Sequence, residues 1–306
     1  MDDPMLIPAL PPGATLALIA PAGPPRPETL PRVPALLAAH GFQAKLMPSV
    51  AGPSPLNYLA ADDERRLADL HAAYADPEVA AVMCLRGGYG CARILDRIDT
   101  ALLRRHPHKL LIGYSDISSL IGLLDHLGLP SLHAPMPSSD LLAPEGGPDA
   151  QALFERLKHG LKRGERLAAA QAGAGAPQAL DRPGRARGRL IGGNLAVFTA
   201  LLGTPWAPRA EGAILFLEDV SEPPYRVDRL LAQLRLAGVL DAAAGFVLGG
   251  FTGAEEPADA VLADYLGALG KPVLAGWPSG HQVPNLALPM GLTVELDVAE
   301  RALRYV

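Results

Sequence analysis

The chain has 306 residues, 49% hydrophobic and 19% charged, a balance that can fill the cores of two domains or of one large one. A net charge of −5 leaves no basic footprint for nucleic acid, and two cysteines exclude a disulfide framework and fit a reducing, cytoplasmic compartment. No apolar run approaches the roughly 20 residues of a membrane span, and the opening Met1-Asp2-Asp3-Pro4 lacks the basic start of a secretory signal.

In chain order, Thr15–Ala20 is a short apolar run that ends at Pro21-Ala22-Gly23-Pro24, which predicts a strand entering a loop. Asp62–Ala75 predicts a helix, with Asp62 and Asp63 at its N-terminal end and Leu67, Leu70 and Tyr74 on one stripe before Pro77 stops it. Val79–Leu85 and Lys109–Tyr114 predict buried strands. The second runs into a helix whose apolar face holds Ile117, Leu120, Ile121 and Leu124 and which ends at Gly128. Strands separated by helices imply a mainly parallel sheet, covered on both faces, over residues 1–142. Residues 143–188 differ in composition. After a helix over Asp149–Gly160, Ala168–Gly184 is rich in Ala, Gly, Gln and Pro, and the segment reads as an interdomain linker, with a mobile flap as the other reading. Residues 189–306 restart the pattern. Gly192-Gly193-Asn194 precedes a helix to about Leu202, Ala213–Leu217 predicts a strand, and Arg226–Leu236 is an amphipathic helix. Phe246–Leu248 is a strand entering Gly249-Gly250, and Leu292–Asp297 with Ala302–Tyr305 form two late strands around a turn.

Several segments in this frame could carry chemistry. Leu111-Ile112-Gly113 gives way to Tyr114-Ser115-Asp116 and at once to a helix. Such a turn lifts the serine oxygen out of the sheet and aims the free N–H groups of the helix start at a ligand, which suits a nucleophile beside an oxyanion site. Position 117 is Ile, so Gly-x-Ser-x-Gly is not matched, and Ser115 or Asp116 as a plain helix cap is the competing reading. A serine needs a base. Among eight histidines, His281 stands apart in Gly280-His281-Gln282-Val283-Pro284-Asn285, a Gly/Pro-rich loop between strand signals. His133, in Leu132-His133-Ala134-Pro135-Met136, is the rival base, or a loop histidine that holds backbone. A base needs an orienting carboxylate, and Ile214–Leu217 ends in Glu218-Asp219, at the carboxyl edge where α/β sheets place their sites; two solvated loop acids are the alternative. Arg86-Gly87-Gly88-Tyr89-Gly90 also follows a buried strand. Its glycines let backbone approach a ligand, and an oxyanion donor from Gly88 is its natural use, because neither the phosphate-loop nor the dinucleotide pattern is matched. Arg86 is either a carboxylate clamp or one arm of a structural ion pair. No metal-binding motif is visible, and Cys84 and Cys91 read as small core residues.

Taken together, these segments resemble the serine peptidase family of LD-carboxypeptidases and microcin C immunity proteins over nearly the whole chain. The resemblance is carried by Ile19-Ala20-Pro21-Ala22-Gly23-Pro24, Tyr58-Leu59-Ala60, Arg86–Gly90, Gly113–Asp116, Gly192-Gly193-Asn194-Leu195 and Leu217-Glu218-Asp219-Val220. It continues through Pro224-Tyr225-Arg226-Val227-Asp228, Gly280-His281 with Pro284-Asn285, and Leu288-Pro289-Met290-Gly291. It implies a catalytic triad of Ser115, Glu218 and His281, with an oxyanion hole from the N–H groups of Gly88 and Asp116. It implies an α/β protein whose mainly parallel N-terminal half, flanked by helices, supplies the serine, and whose smaller, β-rich C-terminal half supplies acid and base. It further implies a homodimer without cofactor or metal. The implied reaction releases terminal D-alanine from a murein tetrapeptide by cutting an L,D-peptide bond, in the cytoplasm, during peptidoglycan recycling. Arg86 or Arg226 would bind the terminal carboxylate. The sequence departs at His133-Ala134-Pro135-Met136, where the family often has Gly in place of Ala. The alternative is the immunity branch, which cleaves peptide–nucleotide antibiotics of the microcin C type. An aromatic content of 5%, with Trp206 and Trp277 the only tryptophans, leans against the base stacking that branch needs. A non-catalytic ligand-binding protein on the same scaffold is the reading from a different class, and an intact triad argues against it.

Overall fold

The computed structural model describes residues 5–51, 54 and 56–306; the opening Met1-Asp2-Asp3-Pro4 lies outside the described residues. Strands β1 (Met5–Ile7), β2 (Thr15–Ile19), β3 (Gln43–Leu46), β4 (Val79–Cys84), β5 (Leu110–Gly113) and β6 (Ser131–His133) alternate with helices α1 (Val33–Ala39), α2 (Asp63–Ala75), α3 (Thr100–Arg105) and α4 (Ser118–His126). Helix α5 (Gly147–His159) and strands β7 (Leu161–Lys162) and β8 (Arg166–Ala168) come next. The second half holds β9 (Arg185–Asn194), α6 (Leu195–Ala200), β10 (Ile214–Val220), α7 (Pro224–Leu236), α8 (Val239–Ala242), β11 (Gly245–Thr252) and α9 (Asp259–Gly267). It closes with β12 (Val273–Leu274), β13 (Leu288–Met290), β14 (Thr293–Asp297) and β15 (Ala302–Tyr305).

Local chemistry explains the elements that frame the site. Asp62 starts α2 by accepting the Arg65 N–H at 2.8 Å, and Asp63 and Glu64 fill its first turn, where negative charge is favoured. β4 and β5 are apolar and almost wholly buried because helices cover both faces of their sheet. That sheet has the order β13-β6-β5-β4-β2-β3, parallel except for β13. The second sheet has the order β12-β11-β10-β9-β14-β15-β8. β9 to β12 run parallel, and β14, β15 and β8 extend the sheet antiparallel, as two late strands around a turn imply. The mixed α/β class expected from the sequence is what the chain forms.

Residues 143–188 carry secondary structure of their own. α5 buries Leu153, Phe154 and Leu157, and Phe154 lies against Phe42 and stacks on His40; β7 pairs with β1, and β8 forms an edge of the second sheet. The apolar spacing of α5 outweighs the Gly/Pro-rich flanks. After residue 188 the chain also returns to the first sheet. β13 crosses back to pair with β6, Leu288 opposite His133. One apolar cluster accordingly runs from Leu16, Leu18 and Ile112 to Phe216, Val247 and Leu303, so the halves share a core. Among the described residues no helix is long and apolar enough to cross a membrane.

Candidate active site

Where β5 ends, the chain turns sharply. Tyr114 is extended, and Ser115 sits at φ +64°, a left-handed conformation costly for a residue with a side chain. A short 3-10 turn over Ser115–Ile117 leads directly into α4. Ser115 is half-buried, between buried Tyr114 and buried Asp116. The Asp116 carboxylate faces inward and accepts the Cys91 N–H at 2.8 Å, tying the helix start to the end of the glycine loop. Burial raises its pKa above the usual carboxylate range, against the pull of that N–H. Its backbone N–H and that of exposed Gly88 donate to no protein acceptor among the described residues.

The glycine loop lies against the serine. A Cβ at Gly87 would stand 2.7 Å from Ser115 Cβ and 2.8 Å from its Oγ. The Gly23 N–H donates to the Gly87 carbonyl at 3.0 Å, so the loop after β2 braces the loop after β4. Beneath both lies Arg66, fully buried, a residue that sequence reasoning passed over as part of a charged helix. Its guanidinium donates to the carbonyls of Pro21, Ala61 and Gly90 and pairs with Asp63. At the lip, Tyr58 and Tyr89 are each about half exposed, with rings 5.9 Å apart.

Glu218 and His281 meet in the second half. Glu218 is fully buried near the end of β10, and its Oε2 accepts the His281 backbone N–H at 3.0 Å and Nδ1–H at 2.7 Å. Gly280 is required there, since a Cβ would stand 2.6 Å from that oxygen. Burial pushes the Glu218 carboxyl up, but nearby His133 and His281 more than offset this and hold it at about 2. Burial likewise opposes a charge on His281, yet Glu218 outweighs it and raises the pKa above 6.5. Asp219 points the other way, accepting from the Asn194 side chain at 2.8 Å and the Ala196 N–H at 2.9 Å at the start of α6. Burial raises it to about 6. The pair read as two acids at the sheet edge thus divides into one that faces His281 and one that anchors a helix.

The two halves meet around Tyr114, whose ring lies 4.8 Å from that of His281 and 5.4 Å from that of His133. Among the described residues no hydrogen bond joins Ser115 Oγ to His281. His133 sits at the end of β6 rather than in a loop. It is fully buried, with Nε2 3.9 Å from Glu218 Oε1 on the side away from His281. Arg86 donates to the Pro24 carbonyl at 3.1 Å, close to the glycine loop. Arg226 is exposed on α7 and pairs with Glu222 at 3.4 Å; among the described residues no hydrogen bond or ion pair joins it to Ser115 or His281. A cavity of about 590 Å³ opens beside the end of β10, lined by Ser221, Tyr225, Glu255 and Glu256. A larger one, about 750 Å³, lies on the outer face of β8, β15, β14 and β9 and contains no candidate site residue. Among the described residues no group of three or more His, Cys, Asp and Glu side chains is placed to hold a metal ion. A half-buried serine on a strained turn, free backbone N–H groups beside it and a carboxylate-held imidazole are the parts of an acyl-transfer site.

The chain is also similar to proteins of known family. Residues 16–134 match the LD-carboxypeptidase N-terminal domain and residues 187–296 the LD-carboxypeptidase C-terminal domain. The chain is 37% identical over 303 residues to a probable murein peptide carboxypeptidase of Bacillus subtilis (strain 168), covering 96% of this chain and 92% of that one. It is 35% identical over 288 residues to the murein tetrapeptide carboxypeptidase of Pseudomonas aeruginosa, covering 92% of each. The crystal structure of muramoyltetrapeptide carboxypeptidase from Oxalobacter formigenes superimposes with a TM-score of 0.80 at 29% identity, over 95% of this chain and 97% of that one. The microcin C7 self immunity protein MccF, at 22% identity and a TM-score of 0.82 over 99% of this chain and 98% of its own, shares the fold. Matched in both halves, this chain belongs to the LD-carboxypeptidase family.

Proposed function

We propose that this protein is a serine carboxypeptidase that releases the terminal D-alanine of murein tetrapeptides. The observation that carries the reading is the Glu218–His281 pair facing the loop that presents Ser115, set beside relatives named for murein peptides and tetrapeptides. In this reading His281 Nε2 closes onto Ser115 Oγ in the substrate complex and takes its proton as the oxygen attacks the scissile carbonyl. The Gly88 and Asp116 N–H groups receive the oxyanion. The imidazolium, stabilised by Glu218, then gives its proton to the amine of the leaving D-alanine, and water, activated by the same histidine, clears the acyl-enzyme. Arg86, next to the glycine loop, is the cation assigned to the terminal carboxylate, and Arg226 is the other candidate.

The exposed Tyr58–Tyr89 pair keeps a second substrate class in view, because two rings at the lip can stack on a nucleobase. Peptide–nucleotide amidase activity of the microcin C type is therefore the alternative. One assay separates the two: a murein tetrapeptide, its C-terminal amide and a peptidyl-nucleotide conjugate are offered to the same enzyme. D-alanine release from the free acid, well above turnover of the other two, is the expected result. Preference for the conjugate would overturn the carboxypeptidase reading. A homodimer and a cytoplasmic location, expected from the sequence, are checked by light scattering and by cell fractionation.

A further inference from the structure

The acid–base pair has a neighbour that the mechanism above does not use. His133 ends β6, between β5 and β13, and its side chain is fully enclosed. Phe216 meets its ring edge-on at 4.9 Å, and Tyr114 does so at 5.4 Å. Among the described residues neither ring nitrogen has a hydrogen-bond partner, and neither does Glu218 Oε1. These unpaired buried atoms face one another, His133 Nε2 lying 3.9 Å from Glu218 Oε1. That gap is about 1 Å longer than a typical N–H···O hydrogen bond. Burying an imidazole N–H and a carboxylate oxygen side by side without a bond costs more than the small side-chain shift that joins them.

We propose that His133 is a positioning residue for Glu218: it donates Nε2–H to Oε1, so that the carboxylate is held from both sides and Oε2 stays aimed at His281 Nδ1. The inference rests on the assignment of Glu218 and His281 as acid and base. In this arrangement His133 moves no proton in the reaction. It fixes the rotamer of Glu218, which in turn fixes the tautomer of His281.

The test uses the full-length protein and a murein tetrapeptide. His133→Phe keeps the ring contacts with Tyr114 and Phe216 and removes the donor; kcat is expected to fall roughly 10- to 100-fold, the range of a charge-assisted hydrogen bond, with KM within about twofold. His133→Gln returns an N–H donor and is expected to recover most of the loss. Full kcat in a folded His133→Phe protein, or equal losses in both variants, overturns the proposal. Should His133→Phe fail to fold, NMR of the wild type labelled with ¹⁵N-histidine decides alone. A protonated Nε2 on His133 is expected, and a bare Nε2 overturns the donor role. Parallel assays of Ser115→Ala and His281→Ala separate the two levels. If both remain active, the triad assignment itself fails; if both are inactive while His133→Phe turns over normally, only the role of His133 fails.

Discussion

With Ser115 as the proposed nucleophile and His281 as the proposed base, protonation and sterics set the limits on turnover. In the proposed mechanism His281 must be neutral to accept the serine proton. Burial disfavours its charged form, but Glu218 more than compensates and raises its pKa above 6.5. The acid limb of kcat/KM is therefore expected above pH 6.5, activity rising as the imidazole loses its proton. Glu218→Gln removes the carboxylate charge, so the limb should move to lower pH while kcat drops on the order of 10³–10⁴-fold. A pH–rate profile on both proteins checks this, and a wild-type limb at or below 6.5 would contradict it. The same shifts bear on folding. The contribution of His281 to stability is fully present below about pH 6.5 and is lost as pH rises through its raised value. That of Glu218, held at about 2 against 4.5, is present above pH 4.5 and fades as pH falls towards 2. Sterics give an independent test. Gly87→Ala would drive a methyl group into Ser115 Cβ and Oγ, the separations being 2.7 and 2.8 Å. Displacing the serine by such a contact should lower kcat by about 10²-fold while the fold survives. Unchanged turnover in Gly87→Ala would show that the loop yields and the serine does not depend on it.

The loops that hold these residues depend on α2. Arg66 joins the ends of β2 and β4 to its own helix through carbonyls at Pro21, Ala61 and Gly90. A Cβ at Gly90 would touch the guanidinium at 2.7 Å, so the loop and the arginine fit as a unit. Arg66→Met leaves those carbonyls and part of Asp63 without their buried donor and should cost on the order of 3–5 kcal/mol. Urea unfolding measures it, with Arg97→Gln, whose ion pair with Glu64 is exposed, expected to leave the midpoint unchanged. Equal midpoints for wild type and Arg66→Met would contradict the stapling role. Legibility at this scale follows burial. β2, β4 and β5 were readable because buried parallel strands are unbroken apolar runs, and the serine turn was readable because it follows one of them. β3, with Gln43 and Lys45 on an edge, and β13, with Pro289 in its middle, lack that signature and were missed. Arg66 was missed for a different reason. A charge at helical spacing reads as solvated, and only the fold of distant loops over it makes it a core residue.

Across the whole molecule, the site is held together by contacts that span the sequence. The Ser118 hydroxyl in α4 accepts the Asn194 N–H at 3.0 Å, and a Cβ at Gly193 would stand 2.3 Å from that oxygen, so the halves meet one turn beyond Ser115. Asp149 in α5 accepts the Asn285 N–H at 2.9 Å, and the Asn285 side chain accepts the Gly280 N–H at 2.9 Å, beside Glu218. Composition marked the segment containing α5 as a linker; nothing local in Asp149 says that it reaches a loop 136 positions away. Equally, His133 could be named from sequence as a candidate base, but its place behind Glu218 exists only once β13 has crossed to β6. Asp149→Ala should loosen the histidine loop and lower kcat roughly 10-fold or more, whereas Asp149→Asn keeps an acceptor and most of the activity. Steady-state kinetics with a thermal melt on each variant checks this, and full kcat in a folded Asp149→Ala protein would contradict it.

The most direct measurement is D-alanine release from a murein tetrapeptide by wild-type protein and by folded Ser115→Ala. Wild type is expected to release it, and the variant to fall to the residual rate that oxyanion donors and binding alone sustain, on the order of 10³-fold over water. Release by Ser115→Ala at the wild-type rate would contradict the assignment of Ser115 as nucleophile, and absence of release by the wild type would contradict the substrate.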